Sequence, residues 1–340
     1  MRIGLISTLA TPVRPRGSGS VESIVWLLAA ELSRLGHNVT VFASAGSDVP
    51  GELVETLPGT YGAGGAPHDW QLCEWMNLCR AVEQSARFDV LHSHVYLWGM
   101  PLQPLCQAPI VHTLHVCPDE DAACLWARTA DACVTAISAY QWSAFPHLKP
   151  AAVIHHGIDA GQFSFREHAD DYVGYLGRFT PGKGPRAAVD SARALGLRIV
   201  LAGPRSEYFE KKIEPLVDGR AVEYIGPVGG MKRDRFLGGA RALLYPLQEP
   251  EPFGLVSVEA MMCGTPVAAI RRGAVAEIVE EGITGHFSEP DGDFAVTVQR
   301  TLTLNRQRVR DRAAARFSAE QMAQGYLAIY QRLLRKGGRQ

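Results

Sequence analysis

The sequence predicts an α/β protein made of two doubly wound domains, and three observations carry that prediction. At 340 residues the chain is long enough for two domains of ordinary size with substantial cores. Its beginning reads strand, loop, helix, strand. Arg2–Thr8 is a strand, residues 10–20 are a Pro/Gly/Ser loop, Ile24, Leu27, Leu28, Leu32 and Leu35 recur at helical spacing up to Gly36, and Val39–Ala43 is the second strand. Far downstream the same grammar returns: the apolar run Ala240–Leu247, a helical pattern ending at Cys263-Gly-Thr-Pro266, then the apolar run Val267–Ile270. Apolar runs separated by helical patterns mark parallel strands buried on both faces.

Taken in order, the remaining elements fill in this plan. Residues 56–69 are rich in Gly and Pro and read as a long loop, a kind that is often functional in a compact domain. The helix after it carries Trp70, Trp75 and Met76, expected in the core or as the wall of a site. Phe88–His94 is another strand with its exit, Ile110–His115 is the next and Asp131–Ser138 a further one, with Ser138 placed to start a helix. The polar stretch Phe165–Asp171 is the expected linker. Beyond it come the strand segment Asp171–Arg178, the turn Phe179-Thr-Pro-Gly-Lys-Gly184, and the strand segments Arg198–Gly203 and Ala221–Pro227. Residues 319–334 close the chain as a helix with Met322, Tyr326, Ile329, Tyr330 and Leu333 on one side.

The chemistry concentrates in Glu251-Pro-Phe-Gly-Leu-Val-Ser-Val-Glu259. Pro252 suits a first helical turn, and Gly254 permits close approach of a ligand to the backbone. If both glutamates sit on the helix, their spacing corresponds to roughly 12 Å along its axis. The amides of Phe253, Gly254 and Leu255 then form an anion site, with carboxylates on either side for sugar hydroxyls. Spacing alone still slightly favours two solvated glutamates. Arg178 and Lys183, on the glycine-rich turn after a strand, are placed to hold a phosphate and neutralise negative charge on a leaving group. Near the other end of the chain, Gly17-x-Gly19-x-x-Glu22 lacks the third glycine of a dinucleotide fingerprint, and the second strand ends Phe42-Ala43-Ser44 without an acidic residue. The pairs His92/His94 and His112/His115 have no carboxylate among them at ligand spacing, so packing is preferred to metal binding. His115, just past the carboxyl end of a strand, is the exception that suits a site.

Glu251-Pro-Phe-Gly-Leu-(x3)-Glu259 followed by Ala260-Met-Met-Cys-Gly-Thr-Pro266 resembles the E-x7-E segment of retaining glycosyltransferases of family 4, which have the GT-B fold. Gly177-Arg178 with Lys183-Gly184 is similar to that family's G-R-x4-K-G pattern. Val153-Ile-His-His-Gly-Ile-Asp159 resembles its V-I-P-N-G-V-D turn, and Gly282–Phe287 its hairpin-like turn. Gly17 to Glu22 is similar to its G-G-x-E loop, although Ser20 stands where a second glycine is expected; Arg272–Glu277 departs from G-G-x-P-E at Ala274 and Ala276. The resemblance implies two Rossmann-like domains facing across a cleft. An acceptor-side domain would span 1–165, with the last helix (319–335) packing back on it, and a donor domain would span 166–318. It further implies that Gly17, Gly19, Arg178, Lys183, Glu251, Phe253, Gly254, Leu255 and Glu259 bind the donor. Arg178 and Lys183 would hold the diphosphate, Glu259 the ribose and Glu251 the sugar hydroxyls, while His115 would steady the sugar at its reacting carbon. No cofactor and no metal are expected.

Composition limits the partners. A net charge of −1 gives no reason to expect nucleic acid. Seven cysteines without a Cys-x-x-Cys argue for a reducing compartment, and no signal core precedes the first strand, so a cytoplasmic protein is expected. Arg306, Arg308, Arg310, Arg312 and Arg316 read as a solvated helical face, with weak attraction to an anionic membrane as the sharper alternative. The expected partners are a nucleotide sugar, with UDP as the favoured carrier, and a small-molecule or glycan acceptor. Rival readings are a nucleotide-sugar 2-epimerase of the same plan, a non-catalytic nucleotide-sugar-binding protein, and a nicotinamide dehydrogenase disfavoured by the missing glycine.

Overall fold

The computed structural model describes residues 1–15, 19–129 and 131–337. The chain forms two compact units, Met1–Gly157 together with Ala319–Gln340, and Ile158–Ser318.

The first unit contains β1 (Arg2–Ile6), α1 (Ser20–Arg34), β2 (Asn38–Ser44), β3 (Glu52–Leu57), α2 (Trp70–Glu83), β4 (Val90–Ser93), β5 (Ile110–Thr113), α3 (Glu120–Arg128) and β6 (Cys133–Thr135). Its sheet is parallel in the order β3-β2-β1-β4-β5-β6. Ile3 pairs with Val39 on one side and Val90 on the other, and all three are buried. The chain winds outward from β1 to β3, then restarts at β4 on the opposite flank. Loops at that reversal diverge and leave a crevice at the carboxyl ends of the strands.

The second unit repeats the plan with β7 (Val173–Leu176), α4 (Pro185–Ala194), β8 (Ile199–Ala202), β9 (Val222–Tyr224), α5 (Gly230–Gly239), β10 (Leu243–Tyr245), α6 (Leu255–Met262), β11 (Val267–Ile270), α7 (Val275–Ile278), β12 (Gly285–Ser288), α8 (Phe294–Thr301) and α9 (Arg306–Arg316). The order is β12-β11-β10-β7-β8-β9, again parallel, with the reversal between β7 and β10. Val173, Tyr175, Ile199, Leu201, Leu244 and Ala268 share its core.

The last helix, α10 (Ala319–Gly337), returns to the first unit. It packs on α1 and buries Tyr326 and Tyr330 completely, and Met322 Sδ accepts the Gly157 amide at 3.2 Å. The chain changes unit at Gly157/Ile158, upstream of residue 165. The intervening segment is tied to the second unit by Ile158 N–H to Phe317 O (2.8 Å), Ser164 N–H to Asp234 Oδ1 (2.7 Å) and Arg166 N–H to Cys263 O (3.3 Å).

Several local expectations are corrected. β3 lies outside the expected strands and runs into the first two residues of the stretch 56–69 read as a loop; its Leu53 and Val54 are only half-buried at a sheet edge, so no apolar run announces it. Trp70, Trp75 and Met76 are exposed rather than core. No helix starts at Ser138, where only a short 3-10 turn, Tyr140–Trp142, forms. The turn expected at Gly282–Phe287 does form, closed by Gly282 N–H to Gly285 O at 2.8 Å, and it leads into β12, which pairs in parallel with β11.

The basic stretch is neither simply solvated nor free for a membrane. Arg306 donates to Arg166 O, Gly238 O, Ala240 O and Thr265 Oγ1 at 2.7–3.0 Å. Arg310 bonds Phe163 O and Met262 O, and Arg316 bonds Ile278 O and Glu277 O. These guanidiniums satisfy backbone carbonyls that helix and strand ends leave over. Among the described residues, no helix is long and apolar enough to cross a membrane.

Candidate active site

In the second unit, the loops after β7 and β10 lock together. Gly182 O accepts the amides of Gln248 (2.8 Å) and Glu249 (3.1 Å). Gly184, at φ 67°, lies so close to Pro246 O that a Cβ would sit 1.9 Å from it, a place only glycine can fill. The Tyr175 hydroxyl donates to Arg178 O at 2.9 Å and fixes the start of the first loop. This scaffold puts Lys183 Nζ 2.6 Å from Glu251 Oε1, with both side chains about a quarter exposed (22% and 26%). The other carboxylate oxygen, Glu251 Oε2, is buried without a hydrogen-bond partner. Arg178 is exposed, and no ion-pair partner is seen for it among the described residues.

Glu251 precedes the helix instead of lying on it. α6 starts at Leu255, with Gly254 as its N-cap at φ 97°, so Pro252 is outside the first turn and the helical spacing of the two glutamates does not apply. The left-handed Gly254 creates the turn into the helix, and no side chain caps it. The Ser257 amide donates to Gly254 O at 3.0 Å, which leaves the first amides of α6, those of Leu255 and Val256, at the positive end of the helix dipole. A Cβ on Gly254 would come 3.0 Å from the Tyr245 hydroxyl, which is buried and unpartnered. The Phe253 ring is packed edge-on against Phe317, leaving only its backbone as a candidate ligand. On α6, Glu259 is ion-paired with Arg233 of α5, and burial raises its pKa against the opposing pull of that guanidinium. The arrangement combines two cations, a free carboxylate oxygen and helix amides: groups suited to a diphosphate and to hydroxyls.

In the first unit, His115 is one member of a stack of imidazoles. The ring centroids run His92 to His94 (4.1 Å), His94 to His115 (5.2 Å) and His115 to His156 (5.1 Å). His94 Nδ1 lies 2.9 Å from His115 Nε2, and His115 Nδ1 lies 3.4 Å from His156 Nε2. His92 is anchored by the Tyr330 hydroxyl and Thr113 Oγ1, each at 2.7 Å. Burial pushes His115 down to about 3 and lowers His92, His94 and His156 well below the usual range, so the stack is neutral at neutral pH. Gln141 holds the His115 segment from beneath, donating to Leu114 O (2.7 Å) and Val116 O (2.6 Å). Histidines 92 and 94 are more than strand-end packing, whereas His112 has neither ring nitrogen bonded. No group of three His, Cys, Asp or Glu among the described residues is arranged to hold a metal.

Gly19 is the N-cap of α1 and abuts Glu22, whose carboxylate a Cβ at that position would strike at 2.1 Å. Glu22 Oε1 accepts from Thr8 Oγ1 (2.9 Å) and the Thr11 amide (3.1 Å), shaping the loop after β1. Gly17 lies outside the described residues.

Comparison with known proteins decides what this assembly belongs to. The model described as "Glycosyltransferase Family 4" matches residues 21–162, and the one described as "Glycosyl transferases group 1" matches 161–316. The chain is a family 4 glycosyltransferase. The D-inositol 3-phosphate glycosyltransferase of Mycobacterium tuberculosis is 28% identical, over 98% of this chain and 83% of its own length. AviGT4, a glycosyltransferase involved in avilamycin A biosynthesis, superposes with a TM-score of 0.74 at 25% identity, covering 98% of each chain. Sucrose-phosphate synthase from Thermosynechococcus elongatus (TM-score 0.78, 21% identity, 98% of this chain and 99% of that one) shares the fold. So does Anabaena HepE in complex with UDP and glucose (0.72, 19%, 97% and 99%). The architecture of this transferase is therefore GT-B.

Within this glycosyltransferase the loops bring Arg178, Lys183, Glu251 and Gly254 into one cradle of the second unit, while His115 and Gly19 belong to the first. Sequence reasoning missed Arg233, His156 and Gln141. His156 was readable as a departure from V-I-P-N-G-V-D, standing where the family has asparagine. Arg233 and Gln141 gave no signal, since each acts across a tertiary contact.

Proposed function

We propose that the protein transfers a hexose-type sugar from a nucleoside diphosphate sugar to an acceptor hydroxyl, with retention at the anomeric carbon. The 2.6 Å Lys183–Glu251 pair beside the uncapped start of α6 is the observation that carries this reading. Lys183 and Arg178 neutralise the departing diphosphate, a task for which a metal would otherwise serve, and the α6 amides hold it. Glu251 accepts from sugar hydroxyls through its free oxygen, and Glu259 accepts from the ribose, with the Arg233 guanidinium favouring its carboxylate form against burial. The acceptor oxygen bonds to the anomeric carbon as the carbon–diphosphate bond breaks on the same face. The acceptor proton passes to the departing phosphate oxygen. His115, held neutral, adds no repulsion to the positive charge that grows at that carbon.

The test is the melting temperature in EDTA with UDP, GDP, ADP and dTDP, each with and without its sugar. HepE, of the same fold, was crystallised with UDP and glucose, which puts UDP first in that panel. A ligand that binds only the folded state raises the melting temperature. A rise with UDP that Lys183→Met abolishes is expected. No rise with any nucleoside diphosphate, alongside a rise with NAD, overturns the reading.

A further inference from the structure

A pocket of about 410 Å³ opens in the first unit beside the segment that carries His115; Leu114, Val116 and Cys117 line it on either side of that histidine. Its opposite wall is Tyr96 and Trp98, from the loop after β4. These rings belong to a larger shelf. Tyr96 and Trp98 stack at 5.0 Å, Trp70 sits 5.4 Å from Trp98 and 5.7 Å from Tyr96, and Trp75 lies parallel to Trp98 at 6.4 Å. Trp70 and Trp75 remain 40% and 37% exposed, unusual for tryptophans gathered in one place. Tyr96 is the one non-glycine residue with positive φ (43°) among the described residues, a conformation that costs about 1–3 kcal/mol and persists where the surroundings enforce it. The loop after β4 is thus held in a strained form that presents Tyr96 to the shelf.

The pocket's size suits one small molecule, and its position at the carboxyl ends of β4 and β5 is where open parallel sheets take ligands. Its walls are mainly apolar. Its polar side-chain groups are those of Gln71, Asp119 and Asp121 with the Tyr96 hydroxyl, Trp98 N–H and Cys117 thiol, and one Asp119 oxygen already caps α3 by accepting the Ala122 amide at 2.8 Å. A polyhydroxylated ring placed here would leave several hydroxyls without partners, at a cost of about 1–3 kcal/mol each. An aromatic ring would instead stack offset or edge-on with Tyr96 and Trp98.

We propose that this pocket takes the acceptor, and that the acceptor carries an aromatic ring which stacks on the Tyr96–Trp98 shelf. The proposal rests on the transferase reading given above, from which the existence of an acceptor follows, and it names that acceptor's class. Asp121 and Gln71 at the rim remain to meet its hydroxyls.

Saturation-transfer NMR with 4-nitrophenyl β-D-glucoside, an aryl probe, and maltose, a glycan probe without an aromatic ring, tests it on the whole protein. The aryl probe is expected to bind wild type at least about tenfold more tightly than maltose, with the strongest transfer at its aromatic protons. Trp98→Ala is expected to weaken it about tenfold and Trp98→Phe by less than threefold, since one stacked ring contributes about 0.5–1.5 kcal/mol beyond its burial. The ligand-free melting transition and the amide NMR spectrum, read on the same samples, should match wild type in both variants and show that the first unit is folded, and the UDP-induced rise should be unchanged. Maltose binding as tightly as the aryl probe, or an aryl probe indifferent to Trp98→Ala in a variant that still responds to UDP, overturns the proposal. If the aryl probe binds as described but UDP never shifts the wild type, the donor reading fails and the aromatic pocket stands.

Discussion

Two halves with the same sheet handle polar groups in opposite ways. At the carboxyl-end side of the first sheet, the conspicuous side chains are four buried histidines, His92, His94, His112 and His156, and the half-buried His115, all kept neutral by desolvation. At the corresponding side of the second, the side chains are charged and paired: Lys183 with Glu251, Glu259 with Arg233. Topology provides a crevice in both, and the residues decide its dielectric character. A crevice with paired, partly exposed ions can exchange one partner for an anionic ligand. One lined by neutral imidazoles and aromatic rings suits hydrogen bonds and apolar surface.

The largest effect expected from this contrast is on acid stability. A histidine whose folded pKa lies below its unfolded value of about 6.5 stabilises fully above that value, and the stability is lost as pH falls towards the folded pKa. Each such histidine costs about 1.4 kcal/mol per pH unit below 6.5. With several such groups the loss is steep against a typical stability of ~5–15 kcal/mol. Amide exchange measured from pH 7 to pH 4.5 should show β4 and β5 losing protection before β7 and β10. Simultaneous loss, or earlier loss in the second unit, breaks the contrast.

Next in size is the second unit's use of a buried cation. Arg306→Met leaves the carbonyls of Arg166, Gly238 and Ala240 without their donor, on the order of 4 kcal/mol, or roughly a 10 °C fall in melting temperature. Arg308→Met, from the exposed side of the same helix, should change it by less than about 1 kcal/mol. Equal effects from both would return the basic stretch to a solvated face.

The smallest effect sharpens the first unit. Glu74 of α2 is fully buried, accepts the Leu9 amide at 2.8 Å and the Tyr61 hydroxyl, and burial lifts its pKa to about 7. An acid with a raised folded pKa stabilises below its unfolded value, and that contribution is lost as pH rises through 7. Glu74→Gln should therefore match wild type near pH 4.5 and exceed it at pH 8 by on the order of 2–3 kcal/mol in denaturant titration. A variant no more stable at pH 8 would show that Glu74 is ionised without penalty.

How far the sequence reached follows the same division between local and tertiary causes. Buried strands such as Val267–Ile270 were readable because both faces are covered and the run is unbroken. β3 was not, because an edge strand with half-exposed Leu53 and Val54 lacks that signature. Lys183 and Glu251 were readable as motif residues, yet their 2.6 Å pairing depends on Gly182 and Gly184 docking against residues 246–249, which no local pattern encodes. Pro252 misled because its preference for a first turn is satisfied just as well in the extended segment ahead of Gly254. The histidine stack draws on three separate segments, so pairs at short spacing suggested metal ligands or packing where the fold builds a row of rings.

The central claim is that Lys183, set by Glu251, grips the donor's diphosphate, and calorimetric titration of UDP into wild type and Lys183→Met in EDTA tests it most directly. Loss of a charge-assisted contact of about 1.5–3 kcal/mol predicts affinity about 10- to 100-fold weaker in the variant, with an unchanged melting temperature when no ligand is present. UDP binding equally to both proteins would contradict it and remove the anion site from this cradle.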